Sequence, residues 1–336
     1  MKKDEDFSLL CLLFCIHSKS GHEGKIRKFI WNWVKQNVPE AKIECDKPGN
    51  IYVTKGKSDT TYPCIVAHLD QVQERHSNDF IAYEAEDIII GFSPKHKEQQ
   101  GLGADDKVGI WIGLKCLQKF DCLKLCFFVE EEVGCRGSEQ ADMDFFKDCR
   151  FVIEPDRKGD SDLITQIGWT SLCSDEFLKD IGFKKFGYFE EDGMMTDVET
   201  LKDNGLAISC INLSCGYYKP HTDQEFVLKP AVSNCLAFVE HIIETCTKVY
   251  PHVDNTAYLE RQNYYDDIYD DLYSEIYDLL TNDPSLSFGD VEAMYKNWHG
   301  NKYNKGELET QYELAREDIL FWNEQKERKT TKVLNK

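Results

Sequence analysis

The sequence predicts an α/β fold, a three-layer α/β/α sandwich around a mixed, mostly parallel central sheet, followed by a C-terminal helical appendage. Short apolar runs typical of buried strands alternate with segments of helical period up to about residue 250. Strands separated by helices favour a parallel sheet that is covered on both faces. From about Pro251 the chain becomes acidic and rich in tyrosine while it keeps a helical period. We therefore expect one large domain over residues 1–250 and a helical extension over residues 251–336.

Local patterns predict the elements of the large domain. Residues 6–18 and 23–37 are expected to form two amphipathic helices, the second with Ile26, Ile30 and Trp33 on one face. Short apolar or alternating runs bounded by turn residues predict strands at 41–45, 51–54, 64–67, 123–129, 151–153 and 207–213. Helical patterns between or after these strands predict further helices at 105–119, 137–147 and 230–248.

In the extension, apolar residues recur at helical spacing beside an acidic face, at positions 268, 272, 276, 279 and 280. Two more helices are expected near 289–298 and 307–323. Such a segment ordinarily packs on the core or on a second subunit. It could instead restrict access to a site, and the segment 174–204, expected to be a loop rich in Gly, Phe and acidic residues, is the other candidate wall.

Composition excludes several classes of protein. Hydrophobic residues at 41% and charged residues at 30% are typical of a globular chain rather than a disordered one. A net charge of −20 repels phosphate backbones and anionic lipid surfaces, so no nucleic-acid or membrane partner is expected. The 14 cysteines lie singly and form no CxxC pair, as expected for reduced thiols in a cytoplasmic protein. The apolar run 9–16 follows acidic residues and has no small-residue cleavage site after it, so it is not predicted to be a signal peptide.

Histidines and carboxylates stand where the apolar runs stop. They follow four predicted strands and open one helix. Directly after three of the strands come His68 and Asp70, Glu130 to Glu132, and Glu154 and Asp156; His221 lies in the loop after the strand that ends at Leu213, and Asp105 and Asp106 open the helix. Each group alone has an ordinary explanation, because acidic residues are favoured at helix starts and isolated histidines are common in loops. Functional groups gather at strand ends in parallel sheets, however, so together these residues predict one functional site.

The order of these segments resembles a known metallopeptidase clan, which contains the dinuclear zinc aminopeptidases, peptidase T and related tripeptidases, and deacylating amidohydrolases. The matching segments are AHLD at 67–70, GADDKVG at 103–109, EEVG at 131–134, VIEPD at 152–156 and NLSCGYYKPHTDQE at 212–225. Relatives with a lid domain insert a long segment within the ligand set. Only residues 157–220 separate Asp156 from His221 here, so the chain is most similar to the lidless zinc aminopeptidases.

The resemblance implies a ligand set for two divalent ions, made of His68, Asp105, Glu132, Asp156 and His221. Asp105 would bridge the ions, with His68 and Asp156 on one and Glu132 and His221 on the other. Asp70 would hold the His68 imidazole in its tautomer, and Glu131 would be the general base. Zinc is the default for mixed imidazole and carboxylate ligands, although cobalt or manganese suits the same set.

Two further assignments rest on position in the sequence. Asp156 is chosen over Glu154 and Asp160 because it comes just past the predicted strand. Tyr217 and Tyr218 precede His221 and are candidates for substrate binding or for donation to an oxyanion, with core packing as the alternative.

Amide hydrolysis explains why these residue types occur together. Two metal ions can activate a shared water molecule and polarise a carbonyl, and an uncoordinated carboxylate can carry the proton to the leaving amine. We therefore predict an aminopeptidase that acts on short peptides, with a possible homo-oligomeric state. The alternatives are an amidohydrolase, deacetylase or dipeptidase, and a non-catalytic binding protein on the same fold. A dinucleotide-binding loop and a serine-hydrolase elbow are not expected, because neither GxGxxG nor GxSxG is present.

Overall fold

The computed structural model of the chain describes residues 6–57, 61–168 and 170–253. Beyond them it describes residues 272, 276, 279–281, 283–299, 304–306, 308–313, 315, 316 and 319. The chain divides into two compact units, Met1–Asp254 and Asn255–Lys336. Near the predicted boundary, Tyr250 N–H donates to Arg150 O and His252 N–H donates to Ala207 O, so hydrogen bonds within the first unit extend to residue 252.

The first unit contains seven α-helices and fourteen strands among its described residues. The helices are α1 Ser8–Phe14, α2 Gly24–Asn37, α3 Ala104–Lys119, α4 Arg136–Glu139, α5 Asp175–Ile181, α6 Asp197–Asp203 and α7 Lys229–Thr245. The strands are β1 Lys42–Cys45, β2 Ile51–Lys55, β3 Tyr62–His68, β4 Ile81–Glu84, β5 Ile88–Ser93, β6 Glu98–Gln100, β7 Leu123–Phe128, β8 Cys149–Arg157, β9 Asp162–Ile167, β10 Thr170–Ser171, β11 Phe189–Gly193, β12 Cys210–Ser214, β13 Tyr217–Tyr218 and β14 Phe226–Leu228.

The main sheet has the predicted mixed character. Its strand order is β1-β2-β7-β3-β8-β12-β9-β10, with β11 paired to β9. The four central strands β7, β3, β8 and β12 are parallel to one another. At one side, β1 pairs antiparallel with β2, and β2 pairs antiparallel with β7. At the other side, β9 pairs antiparallel with both β12 and β10. Because β7, β3, β8 and β12 run in the same direction, their carboxyl ends meet at one edge of the sheet.

The two faces of the sheet bury two different cores, which confirms the three-layer prediction. In β3, Ile65 and Ala67 belong to a cluster with apolar residues of α1, α2, α3 and α7. Cys64 and Val66 belong to a second cluster that includes Val198 of α6. Successive strand residues point to opposite faces, so an uninterrupted apolar run such as that of β3 indicates a strand covered on both sides.

A small antiparallel sheet was not predicted. Its strand order is β13-β14-β5-β4, with β6 paired to β5. Strands β4, β5 and β6 lie between His68 and Ala104 along the chain, and β13 and β14 flank the loop that carries His221. The β4 segment is mostly exposed and the β6 segment is polar and partly exposed, so neither has the buried apolar run that marks a core strand.

Three further differences separate the predicted from the observed elements. Strand β8 continues through Asp156 to Arg157, whereas we expected it to end at Ile153. The helix expected at 137–147 is the short α4 followed by a 3₁₀ turn at Met143–Phe146. The segment 174–204 contains α5, β11 and α6.

The second unit has a core of its own among the residues that the structure describes. Helix α8 Phe288–His299 matches the helix expected at 289–298. Its Val291 and Tyr295 pack with Ile276, Leu280 and Leu308. The described residues of the helix expected at 307–323 are helical, and most of the acidic tyrosine-rich segment lies outside the described residues.

Candidate metal centre

Tertiary folding brings the predicted site residues together at the carboxyl edge of the main sheet. His68 ends β3, and Phe128 at the end of β7 lies beside it in register. Glu131 and Glu132 belong to a 3₁₀ turn, Glu131–Val133, just after β7, and Asp105 is the second residue of α3. These groups line or adjoin one cavity of about 230 Å³.

His68 lies at the base of this cluster and is almost fully buried. Its Nε2 atom lies 2.9 Å from Asp105 Oδ1, 3.6 Å from Asp156 Oδ2 and 3.9 Å from Glu131 Oε2. Its Nδ1 atom lies 3.1 Å from the Asp70 backbone oxygen and 3.4 Å from Asp70 Oδ1. Burial by itself lowers the pKa of His68, but the carboxylates of Asp156 and Asp105 outweigh it and raise that pKa well above its usual value.

Asp70 contacts both the His68 imidazole and the turn that carries Glu131 and Glu132. Its fully buried carboxylate accepts hydrogen bonds from Ser20 Oγ at 2.7 Å, from Glu131 N at 2.9 Å and from Glu132 N at 3.2 Å. Burial opposes ionisation of Asp70, but its contacts with His68 hold its pKa below the ordinary value. One carboxylate thus faces the histidine and at the same time holds the turn that carries both glutamates.

Asp105 lies between the two histidines. Its Oδ1 atom faces His68, and its Oδ2 atom lies 3.2 Å from His221 Nε2. Burial by itself raises the pKa of Asp105, but the two imidazoles reverse the effect and lower it. A carboxylate with each oxygen directed at a different imidazole has the arrangement expected of a bridging ligand.

Glu132 and His221 form the second half of the cluster. Their Oε2 and Nε2 atoms are 3.1 Å apart. Hydrogen bonds to Asp105 and Glu132 raise the pKa of His221 to about 10. The buried Glu132 Oε1 atom has no hydrogen-bond partner among the residues that the structure describes. The ligand atoms of His68, Asp105 and Glu132 all lie within 4.8 Å of one another.

Glu131 lies on the cavity wall beside these groups. Burial raises its pKa to about 8. Its Oε1 atom is 3.5 Å from Cys135 Sγ, and its Oε2 atom is 3.9 Å from His68 Nε2. Glu131 is therefore adjacent to the cluster without being the group that bridges its two histidines.

The structure separates the three acidic residues around the end of β8. Asp156 lines the cavity, and its Oδ1 atom accepts a hydrogen bond from Tyr217 at 3.2 Å. Asn212 holds the Asp156 backbone, because its Oδ1 accepts from Asp156 N and its Nδ2 donates to Asp156 O. Glu154 is fully buried and accepts from Thr196 Oγ1 at 2.6 Å, while Asp160 is exposed. Of the three, Asp156 is the one that lines the cavity.

The two candidate tyrosines have different surroundings. Tyr217 is buried, lines the cavity and donates to Asp156. Tyr218 is half-buried and stacks on Phe226 with ring centroids 5.1 Å apart. Tyr218 is not among the described residues that line the cavity, so the structure brings only Tyr217 to the site.

Glu225 is a functional residue that sequence analysis missed, although it ends the last matching segment. It is fully buried, and its carboxylate accepts hydrogen bonds from the backbone N–H groups of Gly103 at 2.7 Å, Ala104 at 3.1 Å and Asp105 at 3.4 Å. Gly103 has a φ of +62°, which favours glycine. Glu225 therefore fixes the backbone that presents the Asp105 carboxylate, from a position far away in the sequence.

The donor set fits divalent cations. Imidazole nitrogens and carboxylate oxygens are ligands that zinc and similar ions accept, and here they converge from separate segments in a mostly buried place. The unpartnered Glu132 Oε1 atom is a buried acceptor that a cation would satisfy.

Comparison with solved structures shows a fold shared over about 70% of the chain. An aminopeptidase, PepT, from Bacillus cereus aligns with 71% of this chain and 97% of its own at 13% identity, with a TM-score of 0.58. A tripeptidase from Staphylococcus aureus aligns with 70% of this chain and 96% of its own at 14% identity, with a TM-score of 0.55. The TET1 peptidase of Pyrococcus horikoshii can assemble into a tetrahedron or a large octahedral shell. It aligns with 69% of this chain and 97% of its own at 13% identity, with a TM-score of 0.50.

No protein-family model matches the sequence, and no curated protein matches it closely. The chain therefore has the α/β fold of these peptidases at very low sequence identity. The resemblance drawn from the sequence motifs is confirmed at the level of the fold. No helix among the described residues is long and apolar enough to cross a membrane. None of the fourteen cysteines, which all lie among the described residues, forms a disulfide in the structure.

Proposed function

We propose that this protein is a metal-dependent hydrolase of amide bonds, an aminopeptidase that releases N-terminal residues from short peptides. The observation that carries the proposal is the convergence of His68, Asp105, Glu132 and His221 at one cavity, with Glu131 on its wall. The solved peptidases that share the fold support the same class of reaction.

The ligand assignment follows the contacts within the cluster. His68 and Asp156 would hold one divalent cation, Glu132 and His221 the other, and Asp105 would be shared. Bound cations would lower the pKa of a water molecule and polarise the amide carbonyl of the substrate. We propose zinc for this role because imidazole and carboxylate ligands occur together, with cobalt and manganese as alternatives.

The protein's own residues supply the rest of the chemistry. The Glu131 carboxylate would accept the proton of the attacking water and return it to the leaving amine. Asp70 keeps Glu131 in place through its backbone N–H and presents a carboxylate to the His68 Nδ1 atom. Tyr217 holds the Asp156 carboxylate from the cavity side. These contacts orient the reacting groups before the substrate enters, which lowers the reorganisation needed during the reaction.

Cavity size favours an exopeptidase that acts on short chains. A volume of about 230 Å³ lies below the roughly 300–1,000 Å³ of common ligand sites, so it suits one or two residues rather than a long segment. The chain between Asp156 and His221 contains β9–β13, α5 and α6, and its Met194 and Met195, which lie between β11 and α6, line the cavity. The segment 174–204 thus contributes to the wall, as one of the two sequence hypotheses proposed.

The test is metal content and hydrolysis measured on the same full-length protein. We expect about two divalent ions per chain, loss of activity with a chelator, and recovery when Zn²⁺, Co²⁺ or Mn²⁺ is returned. Faster hydrolysis of a free-amine aminoacyl anilide than of its N-acetylated form supports the aminopeptidase. The reverse preference supports the amidohydrolase or deacetylase, and metal binding without hydrolysis supports a binding protein.

Two histidine variants provide a matched control. His221→Ala should lower metal content and abolish hydrolysis, because it removes an imidazole that contacts Asp105 and Glu132. His96→Ala removes an exposed imidazole from the turn between β5 and β6 and should preserve both. Activity that survives complete metal removal would rule out the mechanism.

Two further properties belong to the same proposal. We propose a cytoplasmic location, in keeping with reduced thiols in every cysteine. We also propose a homo-oligomer, because a peptidase that shares the fold assembles into closed shells. Light scattering of the purified chain tests the second property, and a monomer at micromolar concentration would contradict it.

A further inference from the structure

Two basic side chains, Arg157 and Lys158, line the cavity together with the acidic groups of the proposed metal site. Strand β8 ends at Arg157, and Lys158 follows it. They are the only arginine and lysine among the described residues that line the cavity. In a chain with a net charge of −20, a lysine and an arginine beside a site built from carboxylates call for a specific explanation.

Arg157 is already paired, whereas Lys158 is not. Arg157 Nε donates to Asp162 Oδ2 at 3.1 Å, so its charge is offset within the protein. Lys158 is exposed, and no described residue forms an ion pair or hydrogen bond with its ammonium group. Asp160, the acidic residue nearest to it in sequence, interacts with Tyr218 instead.

The backbone of Lys158 is held in place although its side chain is exposed. Ser214 Oγ donates to the Lys158 carbonyl at 2.7 Å, and Gly159 N–H donates to Tyr217 O at 2.8 Å. These bonds fasten the end of β8 to β12 and β13. A long, flexible ammonium side chain on a fixed backbone, at the wall of a reaction cavity, has the properties of a residue that contacts substrate.

Lys158 supplies a positive charge on the cavity wall, and no carboxylate of the described residues pairs with it. Asp105, Glu132 and Asp156 line the same cavity as proposed ligands, and bound cations would offset their charges. The Lys158 ammonium group is then available to pair with a carboxylate of the substrate. The exposed side chains of Met194 and Met195 give the adjoining wall an apolar surface.

We infer that Lys158 binds a carboxylate of the substrate, so that the enzyme selects peptides with a negative charge near the scissile bond. This inference rests on the proposed peptidase function and adds a substrate class to it. The carboxylate has two possible sources, the side chain of an N-terminal Glu or Asp and the free C-terminus of a dipeptide or tripeptide. Both offer the same group to the same lysine.

The experiment measures kcat/KM for matched substrate pairs with the metal-loaded, full-length protein. A glutamyl anilide is compared with a glutaminyl anilide for the side-chain source. Alanyl-alanine is compared with alanyl-alanine amide for the C-terminal source. We expect about a tenfold preference for the charged member of one pair, the size of one hydrogen bond between charged groups. The pair that shows the preference identifies the source.

Variants assign that preference to Lys158. Lys158→Met should bring the charged-to-neutral ratio close to one, Lys158→Arg should retain most of it, and Lys158→Glu should favour the neutral member. Lys179→Met removes the same charge from the exposed side of α5, outside the cavity lining, and should keep the wild-type ratio.

The outcomes separate this inference from the proposed function. Metal-dependent hydrolysis with no preference in either pair would overturn the role of Lys158 and leave the peptidase intact. A preference that persists in Lys158→Met would also overturn it. If the metal-loaded protein hydrolyses no peptide or anilide, the proposed function fails and the inference fails with it.

Discussion

Two neighbouring glutamates provide the most discriminating test of the site. Glu131 and Glu132 lie in the same 3₁₀ turn, and the backbone N–H of each is held by the Asp70 carboxylate. Their side chains nevertheless face different partners. Glu132 contacts His221 at 3.1 Å, whereas Glu131 lies on the cavity wall, 3.9 Å from His68. Substitution of either by Gln preserves size and polarity and removes only the charge and the ability to accept a proton.

We expect Glu131→Gln to retain metal and lose turnover. An amide cannot accept the proton of water, so the general-base contribution of roughly 10²- to 10⁴-fold in rate should disappear. That loss corresponds to about 3–5 kcal/mol of transition-state stabilisation. The groups placed as ligands, from His68 to His221, are unchanged in this variant, and metal content should remain near that of the wild type.

We expect Glu132→Gln to lose metal first. The change replaces an anionic oxygen with a neutral amide on a side chain that is 7% exposed and lies beside His221 and Asp105. Removing groups that only orient a ligand costs about 10- to 100-fold in metal affinity, so loss of a ligand itself should cost at least as much. Excess metal in the assay should therefore restore part of the activity of Glu132→Gln and none of that of Glu131→Gln.

Metal analysis after dialysis and single-turnover kinetics are the two measurements. Glu130→Gln is the matched control, because Glu130 precedes the same turn, lies 3.8 Å from Arg136 and is not part of the described cavity lining. It should resemble the wild type in both measurements. Reversed profiles for Glu131 and Glu132 would mean that base and ligand have been assigned one residue out of register.

The remaining predictions test the supporting structure. Glu225→Gln should lower the free energy of unfolding by about 1.5–3 kcal/mol in denaturant titrations, because one oxygen that accepts backbone N–H groups becomes a donor; an unchanged midpoint would contradict that role. Asp156→Asn should reduce metal stoichiometry after dialysis while Asp160→Asn, on an exposed side chain, should not, and equal losses would refute the choice between them. A chain truncated after Val253 should fold and bind metal, as measured by circular dichroism and metal analysis, because every proposed ligand precedes that residue; an unfolded product would show that the boundary is wrong.

Local patterns predicted the main features of the fold. The apolar run of β3 and the helical spacing of α2 depend on burial within one element, and both elements were recognised. The short strands β4 and β6 were missed, because they form a partly exposed antiparallel sheet in which pairing with β5 replaces a buried apolar run. The end of β8 was placed too early for a similar reason. Its polar residues continue the strand because Asn212 and Ser214 of β12 pair with them.

The candidate site, like the fold, was predicted in part from the sequence and decided in part by the tertiary structure. The sequence by itself determined the residue types, their order and their position after apolar strands, since a parallel sheet gathers its carboxyl ends at one edge. Only the tertiary structure decided which acidic residue near the end of β8 faces the cavity, and that Tyr217 rather than Tyr218 lines it. It also revealed Glu225 beneath the start of α3 and Lys158 at the cavity wall. These assignments depend on contacts between segments far apart in the chain, and such contacts leave no periodic signal in the sequence.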